Sequence, residues 1–184
     1  MQNRVMATTG LIVIDMQVGL FEGEPPCHDA DGVVSRINAL AQAVRAKSGT
    51  VIFIQHENEK AYAAGARLWQ LLPGLDHQPG DVYVGKTASD CFYRSDLEKL
   101  LRERSVDRLL VTGCATEFCV DTTIRVAASK DYEVTVVADG HTTKDRPVLK
   151  ATEIIAHHNW VWSILLIPGR PVKVAPTAEL LLNL

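Results

Sequence analysis

Leu11, Ile12, Val13 and Ile14 form an unbroken apolar run that stops at Asp15, and Val51, Ile52, Phe53 and Ile54 form a second that stops at Gln55. Runs this short, with no polar alternation, read as strands covered on both faces. Such strands require a helical layer above the sheet and another below it. Further strands are expected at residues 82–84, 106–111, 134–138 and 163–167. Helical spacing separates them. Val33, Val34, Ile37, Leu40, Ala41 and Val44 follow a cap at Asp29 or Asp31, and Leu97, Leu100 and Leu101 follow a start at Ser95. Val120, Ile124, Ala127 and Ala128 mark another helix, Leu149, Ile154 and Ile155 one with Pro147 in its first turn, and residues 177–182 the last. Residues 18–30, with Gly19, Gly23, Pro25 and Pro26, read as a loop, and residues 60–81 show no clear period.

Strands alternating with helices predict an α/β fold, a three-layer, doubly wound, mainly parallel sheet of six strands, Rossmann-like, in a single domain over residues 1–184. With 47% hydrophobic and 22% charged residues, the chain fits an ordinary globular composition. A net charge of −3 gives no basic footprint for nucleic acid or anionic membrane, so a small molecule is the expected partner. No secretory pattern precedes Cys27, Cys91, Cys114 and Cys119, and no apolar run approaches the roughly 20 residues that span a bilayer. Free thiols and a cytoplasmic location are expected.

Doubly wound sheets bind ligands beyond the carboxyl ends of their strands. Asp15, Lys86 and Cys119 each lie at or just past such an end. A neutral thiol is a poor nucleophile and needs a base, a cation or a helix N-terminus to supply thiolate. Here Asp15 can act as the base and Lys86 as the cation, and Thr116 as N-cap would put Cys119 in a first helical turn. Gln55 and His56, at the second strand's tip, are candidate substrate contacts, with Trp69 and Tyr93 as candidate aromatic walls. Cys27, Cys91 and Cys114 read as small buried hydrophobes, and His157, His158, Asn159 and Trp160 as packing or subunit-contact residues.

LIVIDMQ (residues 11–17), GKTASDCF (85–92) and VTGCATEFCVDTT (111–123) stand in the order and at the distances found in the isochorismatase-like cysteine hydrolases, which include nicotinamidases and N-carbamoylsarcosine amidase. The chain resembles that family over nearly its whole length. The resemblance implies a catalytic triad of Asp15, Lys86 and Cys119, and a cis peptide between Cys114 and Ala115 that turns the Ala115 and Cys119 N–H groups toward an oxyanion. It further implies hydrolysis of an amide, carbamoyl or lactam bond through a thioester, and a homodimer or homotetramer. Nicotinamidases follow the second strand with a metal-binding Asp-x-His, where this chain has His56 and Asn58. No cofactor or metal is therefore expected, nor nicotinamide as substrate. The thiol argues against the vinyl-ether-cleaving members, which manage without it. Two other readings are a catalytically silent small-molecule-binding protein and a thiol redox protein using Cys114 and Cys119.

Overall fold

The apolar run ending at Ile14 forms the inner part of β1 (Thr8–Ile14), and the run ending at Ile54 that of β2 (Thr50–His56). A computed structural model describes residues 8–184 of the chain. Four further strands, β3 (Val82–Lys86), β4 (Val106–Cys114), β5 (Glu133–Thr142) and β6 (Lys173–Ala175), complete a six-stranded sheet. All pairings are parallel, in the order β3-β2-β1-β4-β5-β6. Strand order reverses between β1 and β4, which puts a crevice at the tips of those two strands.

Alternation along each strand builds the two cores. Ile12 and Ile14 face one layer with Ile52, Ile54 and Val111, and Leu11 and Val13 face the other with Val51 and Phe53. The first layer is closed by α3 (Leu97–Glu103), α4 (Asp121–Ser129) and α5 (Ala151–Ser163), which contribute Leu97, Ile124 and Trp162. The second is closed by α2 (Ala30–Ala46) and α6 (Thr177–Asn183), through Ile37, Leu40 and Leu180. Both faces of the central strands are dry, as their unbroken apolar runs require. No helix of the described residues is long and apolar enough to cross a membrane.

Four local expectations are corrected. Residues 163–167 are not the sixth strand, because α5 runs through Ser163 and the segment after it packs Leu165 and Ile167 on the core as a loop. The sixth strand is the short edge segment Lys173–Ala175. Pro147 lies outside α5, whose start is set downstream by two carboxylates: Asp145 Oδ1 accepts the Ala151 N–H at 2.9 Å and Glu153 Oε2 the Lys150 N–H at 2.7 Å. Residues 18–30 contain a one-turn helix, α1 (Val18–Phe21), where a loop was expected. Leu97, two residues past Ser95, begins α3.

Gly113 has φ +123°, and a Cβ there would lie 2.1 Å from the Ile14 carbonyl oxygen. The tips of β1 and β4 can approach this closely only without a side chain at that position. Gly113→Ala is expected to lose more than about 4 kcal/mol of stability, or to prevent folding. Wild-type denaturation midpoints in that variant would show that the two strand tips do not meet this tightly.

Candidate active site

Asp15 follows β1 with φ +50°, a left-handed conformation that a non-glycine residue adopts at a cost of roughly 1–3 kcal/mol and that clusters at functional sites. Its backbone is held on both sides. The Asp15 N–H donates to the Ile54 carbonyl at 2.9 Å, and the Gln17 N–H donates to the Asp15 carbonyl at 2.8 Å. Gln17 is fully buried and ties three elements together. Its Nε2 donates to the carbonyls of His56 (3.1 Å) and Trp69 (2.8 Å), and its Oε1 accepts the His56 N–H at 2.7 Å. Pattern reading passed over this residue. A polar side chain two residues past the carboxylate that ends a buried strand is the signal that marks it.

Lys86 ends β3, and its side chain reaches under the sheet tips to three acceptors. Nζ stands 2.7 Å from Asp15 Oδ2, 3.1 Å from the Ala88 carbonyl and 3.3 Å from Cys119 Sγ. An ammonium has three hydrogens, so this one is saturated. Burial works against its charge, but Asp15, Cys91 and Cys119 around it prevail and hold its pKa above the usual lysine value. Asp15 Oδ2 is therefore occupied, while Oδ1 is buried with no hydrogen-bond partner. A buried carboxylate oxygen left open in this way is expensive, and beside a thiol it is a ready proton acceptor. Burial pushes the Asp15 carboxyl above the ordinary carboxylate range, against the opposing pull of Lys86.

Cys119 sits in a π-helical turn (Thr116–Val120) between β4 and α4. Burial first, and then the Asp15 charge, push its thiol up to about 11, with Lys86 pulling the other way. The resting form thus has a neutral thiol and a charged lysine, with the Asp15 carboxyl paired to that lysine. Moving one proton from sulfur to carboxylate keeps the net charge of the trio unchanged. The proton then belongs to the pair rather than to either group.

Thr116 does not cap this turn. Ala115, with extended backbone, holds the N-cap position, and the Thr116 hydroxyl points inward to His141 Nδ1 at 2.9 Å. Asn159 Nδ2 donates to the Ala138 carbonyl at 2.9 Å, so its Oδ1, 3.0 Å from His141 Nε2, accepts the imidazole N–H. His141 Nδ1 is then the acceptor for Thr116. Burial drives the His141 pKa down to about 4, keeping the ring neutral. This buried chain fixes the back of the cysteine turn to β5 and α5. The Cys114–Ala115 peptide bond is cis.

A cavity of about 450 Å³ opens above these groups, lined among others by Asp15, Ala115, Phe118 and Cys119. His56 also lines it, with its pKa lowered by burial and then by Lys86. Gln55, Trp69 and Tyr93 are not among the lining residues. Gln55 is buried and donates through Nε2 to the Trp69 carbonyl at 3.0 Å. The Trp69 indole N–H donates to Glu57 at 3.3 Å, in a 3₁₀ turn (Arg67–Trp69) within the segment that had no period, and Tyr93 is exposed beside Arg94. Asn58 Oδ1 accepts the N–H groups of Lys60 and Tyr62 and shapes a turn. No group of three or more His, Cys, Asp or Glu side chains able to hold a metal occurs among the described residues.

Pattern reading also passed over Lys144 and Arg146, which give the cavity wall its positive charge. Arg146 Nε donates to Glu117 Oε1 at 2.5 Å, its guanidinium lies 5.2 Å from the centre of the Phe118 ring, and Glu117 also accepts from Thr143 Oγ1 at 3.0 Å. Lys144 donates to the Glu22 carbonyl at 2.8 Å. Two cations in a loop after β5 look like ordinary surface charges until the fold turns them toward the cysteine.

A model of the isochorismatase domain matches residues 9–156 of the chain. Streptothricin hydrolase of Streptomyces noursei is 30% identical over 139 residues, which cover 74% of this chain and 55% of that protein. Ureidoacrylate amidohydrolase RutB of Pseudomonas syringae pv. syringae is 29% identical over 170 residues, covering 71% of this chain and 69% of that one. Among solved structures, a cysteine hydrolase from Pseudomonas syringae pv. phaseolicola is similar with a TM-score of 0.83 at 26% identity, over 95% of this chain and 91% of that one.

Proposed function

The chain belongs to the isochorismatase family, and from that premise we propose that it hydrolyses a C–N bond, of amide, carbamoyl or lactam type, in a small anionic molecule through a thioester on Cys119. The observation that carries this reading is the division of labour on Asp15, with Oδ2 saturated by Lys86 and Oδ1 open beside the thiol. Asp15 takes the Cys119 proton, and the thiolate attacks the substrate carbonyl carbon. The electron pair of the C=O bond moves onto oxygen, in reach of the Ala115 and Cys119 N–H groups, where each donor is worth about 3 kcal/mol in the transition state. Collapse breaks the C–N bond as Asp15 returns the proton to the leaving nitrogen. A water molecule, giving its proton to Asp15, then cleaves the thioester and releases the acid and the free thiol. One of the two relatives is named an amidohydrolase and the other a hydrolase, which supports this class of reaction.

Charge supports the anionic substrate. Within the trio, Asp15 and Lys86 cancel, and Glu117 balances Arg146. Lys144 donates only to a backbone carbonyl and forms no carboxylate ion pair among the described residues, so a carboxylate on the substrate would complete it. His56, kept neutral by burial, can hydrogen-bond the reacting group without adding charge.

The test is a panel of small amides with and without a carboxylate, read by intact-protein mass. A transient acyl adduct on Cys119 is expected, and its absence together with turnover in Cys119→Ala would overturn the mechanism. Lys144→Met is expected to raise KM for the carboxylate-bearing members by roughly tenfold or more, with kcat little changed. Equal KM for charged and neutral members in the wild type would remove the anionic part of the reading.

A further inference from the structure

Two other thiols line the same cavity. Cys27, from the loop ahead of α2, and Cys114, the last residue of β4, both face it and belong to one packed cluster with Met16 and Val137. The Cys27 backbone bridges to Lys144, the His28 N–H donates to the Thr143 carbonyl at 2.9 Å, and Thr142, register partner of Cys114, donates from its hydroxyl to the His28 carbonyl at 2.5 Å. These bonds pin the Cys27 loop against the strand tip that carries Cys114. Cys27 S–H donates to the Leu20 carbonyl at 3.6 Å, and the Cys114 thiol packs in the same cluster, near enough for each thiol to shift the other's pKa. Cys27 also borders two smaller clefts, one with Pro25, His28 and Asp145 and one with Phe21, Val34 and Leu72.

We propose that Cys27 and Cys114 form a dithiol modification site that is oxidised reversibly by small organic disulfides entering the cavity, and that this pair reacts ahead of Cys119. The Cys27 thiolate attacks one sulfur of the disulfide, breaking its S–S bond and expelling one thiolate, which takes up a proton. Cys114 then gives up its proton and attacks the Cys27 sulfur of the mixed disulfide, forming the Cys27–Cys114 bond and expelling the second thiol. The protein loses two electrons and two protons, and the small disulfide becomes two thiols. Attack begins at Cys27 because the interaction with Cys114, and then the charges of Lys144 and Arg146, outweigh burial and lower its pKa. The interaction with Cys27, and then burial, hold the Cys114 thiol far up, so Cys114 acts as the resolving partner rather than the first nucleophile. The thiol redox reading of the sequence paired Cys114 with Cys119. Packing separates that pair: Cys114 lies with Cys27 in one core, whereas Cys119 packs against the other and is held by Lys86.

The experiment treats the wild-type protein with hydroxyethyl disulfide, alkylates the remaining thiols and maps the peptides by mass. A Cys27–Cys114 link is expected in at least roughly tenfold excess over any other cysteine pair, removable by dithiothreitol, with Cys119 recovered in its alkylated form. In Cys27→Ala, oxidation of Cys114 is expected to fall by about the same factor. A Cys114–Cys119 link, a mixed disulfide formed first on Cys119, or unchanged Cys114 oxidation in Cys27→Ala would each overturn the proposal. The wild-type map decides the pairing even if the variant folds poorly. Because the readout is linkage and not turnover, the proposal stands or falls apart from the hydrolase reading.

Discussion

Asp15→Asn is expected to lower amide turnover by about 10⁴-fold and, at the same time, to make Cys119 alkylate faster at neutral pH. The two effects have opposite signs because Asp15 does two things to the thiol. As the proposed base it must take the proton and later give it to the leaving nitrogen, which an amide cannot do. As a charge it disfavours the thiolate: after burial, Asp15 is what raises the Cys119 pKa toward about 11, while Lys86 lowers it. Without the carboxylate, the Lys86 ammonium keeps only the Ala88 carbonyl and the sulfur as partners, and the thiolate becomes its natural counter-ion. The measurement is the iodoacetamide rate at Cys119, by peptide mass, from pH about 6 to 10, which spans the thiol range. A slower rate in Asp15→Asn would mean that the carboxylate activates the resting thiol instead of restraining it. Retained hydrolysis would remove Asp15 from the chemistry altogether. The wild type should show an acid limb in kcat/KM above the usual carboxylate range, since the Asp15 pKa is raised and the base must be ionised.

Much of this site is written in the chain as strand endings. Asp15 and Lys86 are legible because a carboxylate or an ammonium at the tip of a buried strand has no solvent to retreat to, and Cys119 because an apolar run passes directly into a helical pattern around it. The same logic gave the layers, since Leu11 and Ile12 must face opposite cores. It failed where the signal was not periodic. Residues 163–167 have the composition of a strand, yet Leu165 and Ile167 reach the core from a loop while Leu166 lies exposed, and the real edge strand is three residues long and begins with a lysine. Thr116 has the composition of a cap, but a buried imidazole offers its hydroxyl a partner 25 positions away that no local pattern contains. Gln17 is fixed by partners 39 and 52 positions away, and Lys144 and Arg146 become cavity residues only through the turn after β5. Trp69 and Tyr93 are the converse case, aromatic side chains suited to a pocket wall at positions that do not line the cavity.

Lys86→Met is expected to remove turnover and to destabilise the protein in a pH-dependent way. The methionine fills a similar volume but leaves Asp15 with both carboxylate oxygens unpaired inside the protein, and breaking a buried ion pair from one side costs about 3–5 kcal/mol. The carboxyl can escape part of that cost by keeping its proton. Its folded-state pKa, already raised by burial with Lys86 opposing, rises further once the lysine is gone. A raised carboxyl pKa means that the native state binds the proton more tightly than the unfolded chain does. Stability from this source is therefore present below the unfolded carboxylate range and is lost as pH climbs toward the folded value. The Lys86→Met variant should accordingly lie close to the wild type in mild acid and fall away toward neutral pH, where a loss of about 3 kcal/mol corresponds to a Tm lower by roughly 6–12 °C. Thermal melts at pH about 4, at the unfolded carboxylate pKa, and at about 8 measure it. A Tm difference independent of pH would mean that Asp15 does not depend on Lys86 for its charge. Lys86→Arg separates charge from geometry: it keeps the cation and should flatten the pH dependence, but a planar guanidinium cannot place three donors where Nζ meets Asp15, Ala88 and Cys119. Turnover should stay low in that variant even where stability returns, because the open oxygen of Asp15 is defined by what the ammonium does to the other one.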